Sequence, residues 1–202
     1  AIPVGSSIPR IDRAATPALG TRLVLFGQPA ALHPATMAAV GQWLSASTPE
    51  ISLTWLGRST EEMRASWCDA WQLPSDRVTF AGGLPAAEVS AVLQASHIGL
   101  APYENGASTR RTSFAAMLEH RLPVVAIDGL YTSDWLRESG ACVWTPDGDP
   151  MAFVRALSVL VADEPLRRAA LAARAGELFE ARLSWPRIAE AYARLLSEGV
   201  FA

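Results

Sequence analysis

Short, continuously apolar runs alternate along this chain with longer stretches of helical periodicity, and that alternation limits the possible folds more than any other feature. The runs are RLVLF (22–26), ISLTWL (51–56), RVTF (77–80), HIGLA (97–101), PVVAI (123–127) and ACVW (141–144). A strand whose apolar residues do not alternate with polar ones is covered on both faces, as in a parallel sheet. Helical patterns fall between the runs, near 35–46, 60–72, 86–95, 109–120 and 132–139. Strict β–α alternation with short loops predicts a doubly wound three-layer α/β/α sandwich around a mostly parallel six-stranded sheet. From 149 to 198 the pattern is helical only, a C-terminal tail. Residues 1–21 (AIPVGSSIPRIDRAATPALGT) mix proline, glycine and small polar residues without periodicity, which reads as linker; the folded domain is then 22–202.

Composition narrows the function classes. With 202 residues and half of them apolar, the chain can bury a real core and is not disordered. A formal charge of −3 argues against a nucleic-acid partner or a membrane-surface role. All 17 basic residues are arginine, so no mechanism can use a Schiff-base or phosphate-binding lysine. Cys68 and Cys142 are too few for a disulfide framework and lack metal-ligand spacing, which suggests two buried thiols in a reducing compartment. No apolar run is long enough to span a membrane, and no charged-then-apolar leader opens the chain. The expectation is a soluble, cytoplasmic protein; a start at Ala1 without methionine is what a fragment would show.

In doubly wound sheets ligands bind beyond the carboxyl ends of the strands, here the loops at 27–34, 57–60, 81–85, 102–109 and 128–132. The first, GQPAALHP, lacks the G-x-G-x-x-G of a dinucleotide site. His33 within it is either an anion contact or an exposed loop residue. In the second loop Gly57 lets backbone amides approach a ligand, with Arg58 and Ser59 beside it. The other reading is a tight turn, with Ser59 capping the next helix and Ser59-Thr60-Glu61-Glu62 forming a capping box. Asp147-Gly148-Asp149 could be a metal pair, but Asp149 before Pro150 is better explained as a helix cap. His97 opens an apolar strand and is expected to be structural. His120 falls near a helix C-terminus, where the dipole favours partial positive charge.

The fourth loop, ENGASTRRTSF (104–114), carries the most information. A helix N-terminus bears roughly +0.5 of an elementary charge and prefers acidic residues in its first turn. The other helix starts are expected to follow that rule, yet Arg110 and Arg111 stand side by side where this one begins. Gly106 permits a turn, Ala107 is small, and Ser108, Thr109, Thr112 and Ser113 add hydroxyls. Free amides at a helix start attract an anion, and a planar guanidinium suits phosphate. Either both arginines point into solvent, or this loop recognises a phosphate group; its place at a strand's carboxyl end favours the second.

The order of elements resembles the C-terminal, donor-binding half of a GT-B glycosyltransferase, in the retaining family often called family four. AIPVGSSIP (1–9) is similar to the segment that closes that family's N-terminal domain, and RVTFAGGLPAAEVSAVLQASHIGLAPY (77–103) to its strand, proline-led helix and next strand. HRLPVVAIDG (120–129) resembles the strand after the central helix. TPDGDPMAFVRALSVLVADEPLRRAALAARA (145–175) and LSWPRIAEAYARLL (183–196) are similar to the helical tail. The resemblance implies one Rossmann-like half of a GT-B fold that binds a nucleotide-sugar without metal or other cofactor. Many members carry a glycine-arginine and a lysine-glycine in the first loop, where Gly27-Gln28 and His33-Pro34 stand here. Many also carry two glutamates, the second contacting the ribose. Counting back from Pro123 puts Ala116 at the second position and Ser108 at the first, with Glu104 acidic but four residues earlier. GASTRRTSF resembles a subgroup with a glycine-serine-arginine-arginine pattern, which gives Arg110 or Arg111 the charge role of the missing pair.

The function implied is the donor-binding domain of a bacterial glycosyltransferase, with Gly27, His33, Gly57, Arg58, Ser59, Glu104, Gly106, Ser108, Arg110, Arg111 and Thr112 around the donor. Its partners would be the nucleotide-sugar and a missing N-terminal acceptor-binding domain, without which it should transfer no sugar. That missing domain could also bring the enzyme to a membrane surface. Two alternatives remain: a degenerate domain that only binds a partner, and a sugar-nucleotide epimerase of similar architecture.

Overall fold

The apolar runs form six parallel strands in a computed structural model, which describes residues 2–11, 20–162 and 165–198. They are β1 (Thr21–Phe26), β2 (Ile51–Leu56), β3 (Val78–Ala81), β4 (Ile98–Ala101), β5 (Val124–Asp128) and β6 (Cys142–Pro146). The helices are α1 (Pro34–Ala46), α2 (Glu61–Trp71), α3 (Ala86–Ala95), α4 (Thr112–Glu119), α5 (Asp134–Glu138), α6 (Pro150–Ala162), α7 (Pro165–Leu178) and α8 (Trp185–Ser197). A 3-10 turn (Pro29–Ala31) precedes α1, and a π-helical turn (Phe179–Leu183) joins α7 to α8. All of β4 and the first four residues of β5 are buried, as strands covered on both faces require, whereas edge strands β3 and β6 are only partly buried. Five of the eight residues of α4, Phe114, Ala115, Ala116, Met117 and Leu118, are buried.

The strand order is β3-β2-β1-β4-β5-β6. The chain winds outward from β1 through β2 and β3, then returns to the other side of β1 and winds outward again. The direction reverses between β1 and β4, which pair with Leu25 opposite Leu100. Beyond the carboxyl ends of such a pair the following loops diverge and leave a crevice.

Several helix ends differ from the sequence reading. Thr60, not Ser59, caps α2: its hydroxyl accepts from the Met63 N–H at 3.3 Å, while Ser59 Oγ accepts from Arg64 Nε at 2.9 Å. Asp149 does cap α6, accepting from the Ala152 N–H at 2.8 Å. Helix α4 begins at Thr112, and Arg111 is its N-cap with extended backbone. A second helix, α7, carries arginines in its own first turn, Arg167 and Arg168, so arginines at a helix start are not unique to α4.

His120 departs from its sequence reading as well. Only 5% exposed, it lies within 2.7 Å of the Ala116 carbonyl through Nδ1 and within 2.8 Å of Ser90 Oγ through Nε2. Burial pushes its pKa below the ordinary value, outweighing the Ala116 and Glu119 contributions, so the neutral ring is favoured. His97 is structural as expected: Nδ1 accepts from the Arg22 N–H at 2.9 Å, and burial, with Arg22 and Arg168 nearby, lowers its pKa. Both cysteines are free; Cys142 is buried and Cys68 half-buried, and burial raises both thiols.

Residues 2–11 lie along the domain. The Val4 N–H donates to the Thr109 carbonyl, Trp185 Nε1 donates to the Ser6 carbonyl, and the Ile11 N–H donates to Ser90 Oγ. Most of the rest of the 1–21 segment, residues 12–19, is outside the described residues. No helix among the described residues is long and apolar enough to cross a membrane.

Candidate donor site

A cleft of about 300 Å³ opens at the switch point. Its walls are Phe26, Gly27, Gln28 and Ala31 after β1, Leu56 and Gly57 after β2, Tyr103 after β4, and Arg110, Arg111, Thr112 and Ser113 at the start of α4. Two arginines and no carboxylate line it, in a chain whose net charge is −3.

The glycines of the cleft floor are there for packing. A Cβ on Gly57 would sit 2.6 Å from the Gly27 carbonyl oxygen, and one on Gly82 2.5 Å from the Gly57 carbonyl oxygen. The loop ends therefore lie against one another, backbone on backbone. Their amides are already used: the Gly27 N–H donates to Leu56 O at 3.1 Å and the Gly57 N–H to Ala81 O at 3.4 Å. Donors for an anion must come from elsewhere. Helix α4 has no side-chain cap, so its first-turn amides at Thr112 and Ser113 have no intrahelical acceptor.

Tyr103 builds the arginine wall. It is fully buried, and its hydroxyl donates to the Phe26 carbonyl at 2.9 Å and lies 3.2 Å from Ser113 Oγ. Burial, only partly offset by Ser113 and Arg111, raises its pKa to about 12, so it stays a neutral donor. The Arg111 guanidinium lies 4.5 Å above the centre of its ring, a cation–π contact that fixes the charge at the cleft. Arg110 is exposed, and its N–H donates to Ser108 Oγ at 3.3 Å. The loop before it is pinned to the sheet by Ala107 N–H on Ile127 O (2.9 Å) and Thr132 Oγ1 on Ala107 O (2.9 Å). At Gly106, with φ +93°, a Cβ would meet the Gly129 nitrogen at 2.5 Å.

Of the residues singled out in the sequence, Gly27, Gly57, Arg110, Arg111 and Thr112 meet in this cleft. His33 does not line it: His33 caps α1, its Nδ1 accepting from the Thr36 N–H at 3.2 Å. Ser59 holds Arg64, Arg58 and Glu104 are exposed, and Gly106 and Ser108 shape the loop from beneath. Sequence reasoning missed Tyr103, and it named Ser113 as a loop hydroxyl and Gln28 as a departure from the family pattern without placing either around the donor. An aromatic ring at a strand's carboxyl end, shortly before an arginine pair, was the available signal for Tyr103.

A larger groove, about 540 Å³, runs between residues 2–3, α5 and α8. Three of its charged side chains are paired, Arg187 with Glu190 at 2.9 Å and Arg182 over the Trp135 ring at 4.9 Å. The smaller cleft is the one that strand ends form at the switch point.

The family model described as glycosyl transferases group 1 matches residues 33–163. No curated protein sequence matches the chain. Among solved structures, WaaG, a glycosyltransferase involved in lipopolysaccharide biosynthesis, superposes with a TM-score of 0.70 at 13% identity, over 94% of this chain and 54% of that one. Anabaena Alr3699/HepE in complex with UDP gives 0.68 at 15% identity, over 89% and 49%. The C-terminal domain of a group 1 glycosyl transferase (LpcC) from Francisella tularensis gives 0.64 at 12% identity, over 83% and 89%. The chain thus spans about half the length of the first two and most of the third, an isolated domain. These likenesses establish the fold, one Rossmann-like half of a GT-B architecture.

Proposed function

The chain belongs to the group 1 glycosyl transferases, and from that premise we propose that its cleft holds the diphosphate of a nucleoside-diphosphate sugar. The observation that carries this reading is the pairing of Arg110 and Arg111 with open first-turn amides, free of any carboxylate, at the sheet's switch point. During transfer the bond from the sugar's anomeric carbon to the diphosphate oxygen breaks, and negative charge collects on the departing phosphates. Fixed cations and amides stabilise that charge without reorganising. The two guanidinium groups carry the countercharge, so donor binding needs no divalent metal. The solved complexes of HepE contain UDP or UDP-glucose, which makes a uridine nucleotide the first ligand to try.

Acceptor recognition, and any general base, is assigned to a second domain N-terminal to this one, so residues 1–202 alone should bind the donor but transfer no sugar. Within a bacterial enzyme of this kind the domain would work in the cytoplasm. One observation favours a second reading, a module that binds without catalysing: Ala116, fully buried, stands where the resemblance places a ribose-contacting glutamate. Calorimetric titration with UDP and GDP in EDTA tests the proposal. Saturable binding is expected. Binding that required magnesium or manganese would refute the metal-free mechanism, and no binding under either condition would refute the site.

A further inference from the structure

The stretch before the first strand touches the arginine loop directly. The Val4 N–H donates to the Thr109 carbonyl at 2.8 Å, one residue before Arg110. Upstream and downstream, loop 104–111 is held by the sheet, through Ala107 on Ile127, and by its own turn, with the Arg111 N–H on Ser108 O at 3.2 Å. Thr109 is the point between, and the bond it accepts comes from outside the β–α framework.

That outside segment is itself seated. Trp185 Nε1, at the start of α8, donates to the Ser6 carbonyl at 2.8 Å. Gly5 lies flat against the same residue: a Cβ there would come within 3.0 Å of Trp185 Cε2 and 3.1 Å of Ile188 Cδ1. Ser6 is buried, and its hydroxyl closes a turn with Ile8 at 3.0 Å. The Val4 side chain, by contrast, is exposed. Its backbone amide is therefore what matters at this position.

We propose that residues 4–6 form a strap, anchored on Trp185, that positions the arginine pair: by holding the Thr109 carbonyl, the Val4 amide fixes the backbone from which Arg110 and Arg111 reach the cleft. The inference rests on the reading of that cleft as a phosphate site. Releasing the strap leaves the sheet and α4 intact but lets the loop relax, so each guanidinium meets a phosphate less often in the right place. Misplacement of the donors weakens the phosphate contacts more than contacts to the rest of a nucleotide. The coupling is reciprocal: a ligand that orders the loop must also tighten the strap.

Val4→Pro removes the amide hydrogen, and Val4→Ala keeps it while trimming an exposed side chain. UDP and UMP are titrated into the full 202-residue chain and both variants. Val4→Pro is expected to weaken UDP about three- to tenfold, the worth of one hydrogen bond, with a smaller effect on UMP, so that the UDP-to-UMP affinity ratio falls. Val4→Ala should match the unaltered chain, as should all melting temperatures within a few degrees. Trp185→Phe keeps an aromatic ring but loses the N–H to Ser6 and part of the indole surface under Gly5, and should shift the same ratio in the same direction. In the unaltered chain, UDP should slow hydrogen exchange at the Val4 amide, a readout that requires no variant to fold. Unchanged UDP affinity in Val4→Pro, or equal losses for UDP and UMP, overturns the strap. Unchanged Val4 exchange on saturation does so too. Failure of the unaltered chain to bind UDP is a separate result, which removes the donor site and the strap with it.

Discussion

Arg111 is where stability and binding separate, and Arg111→Ala measures both. Two effects on the free domain oppose each other. Losing the stack on Tyr103, 4.5 Å away, costs about 0.5–1 kcal/mol for a partly exposed cation–π pair. Removing a positive charge from the start of α4 returns about 0.3–1 kcal/mol of dipole repulsion. Stability should therefore change by less than about 1 kcal/mol, a melting shift of no more than about 2–4 °C for a chain of this size. The effect on binding is one-sided. A hydrogen bond from a charged donor contributes about 1.5–3 kcal/mol, so UDP affinity should fall roughly ten- to hundredfold. Arg110→Ala has no stack to lose and should leave the melt unchanged or slightly raised, with a smaller affinity loss because that side chain is exposed. The double variant should lose less than the sum, since both groups would serve one phosphate pair. Thermal melts with and without UDP, joined to calorimetry, give both quantities. A lowered melt with full UDP affinity would make the arginines scaffold and refute the reasoning.

The floor and the histidines give two further expectations. Gly57→Ala places a methyl 2.6 Å from the Gly27 oxygen; forcing the ends of β1 and β2 apart should cost about 1–3 kcal/mol and also weaken UDP, and a chemical melt unchanged from the original would show that the loops are not in contact. His97 and His120 have folded pKa values below the ordinary one, chiefly through burial. The unfolded chain then binds more protons below about pH 6.5, so stability is full above that value and falls as pH drops through it, by at most about 1.4 kcal/mol per pH unit per histidine. Urea midpoints at pH 7.5, 6.5 and 5.5 should decrease in that order, with a shallower fall in His120→Asn; a flat or rising series would contradict neutral, buried rings.

The sheet was legible because its signal is local. Every apolar run became a strand, and the expected spans 51–56 and 86–95 coincide with β2 and α3. The largest misplacement is the start of α4, expected near 109 and found at Thr112. FAAML has helical periodicity, but Ser108, Thr109, Arg110 and Arg111 suit helix or extended chain alike. What keeps them out of the helix is partly local, the Ser108 hydroxyl on the Arg110 amide two residues on, and partly tertiary, the Val4 amide on the Thr109 carbonyl. Tyr103 was missed for a tertiary reason. Its tyrosyl hydroxyl meets a carbonyl 77 positions away, and nothing in HIGLAPY foretells that partner. Gly57 was found in the right place, and of its two sequence readings the structure gives it a tight turn, packed backbone on backbone against the Gly27 carbonyl.

Charge at a helix start does not by itself mark a site, and α7 shows why. Its Arg168 donates to the Val161 carbonyl at 3.4 Å, in the last turn of α6, where the partial negative charge of a helix C-terminus compensates it. Arg168 also lies close enough to His97 to lower its pKa, which puts this end of α7 beside the opening of β4, at the amino edge of the sheet. There the fold supplies the negative partner. At α4 the Arg111 charge rests on an aromatic face, and the Arg110 guanidinium has neither hydrogen bond nor ion pair among the described residues. The α4 start faces the carboxyl edge, into a cleft without a carboxylate. The two arginine-bearing helix starts thus differ in what balances them: Arg168 is met by a helix C-terminus within the chain, and the pair at α4 leaves room for an anion that the chain does not contain.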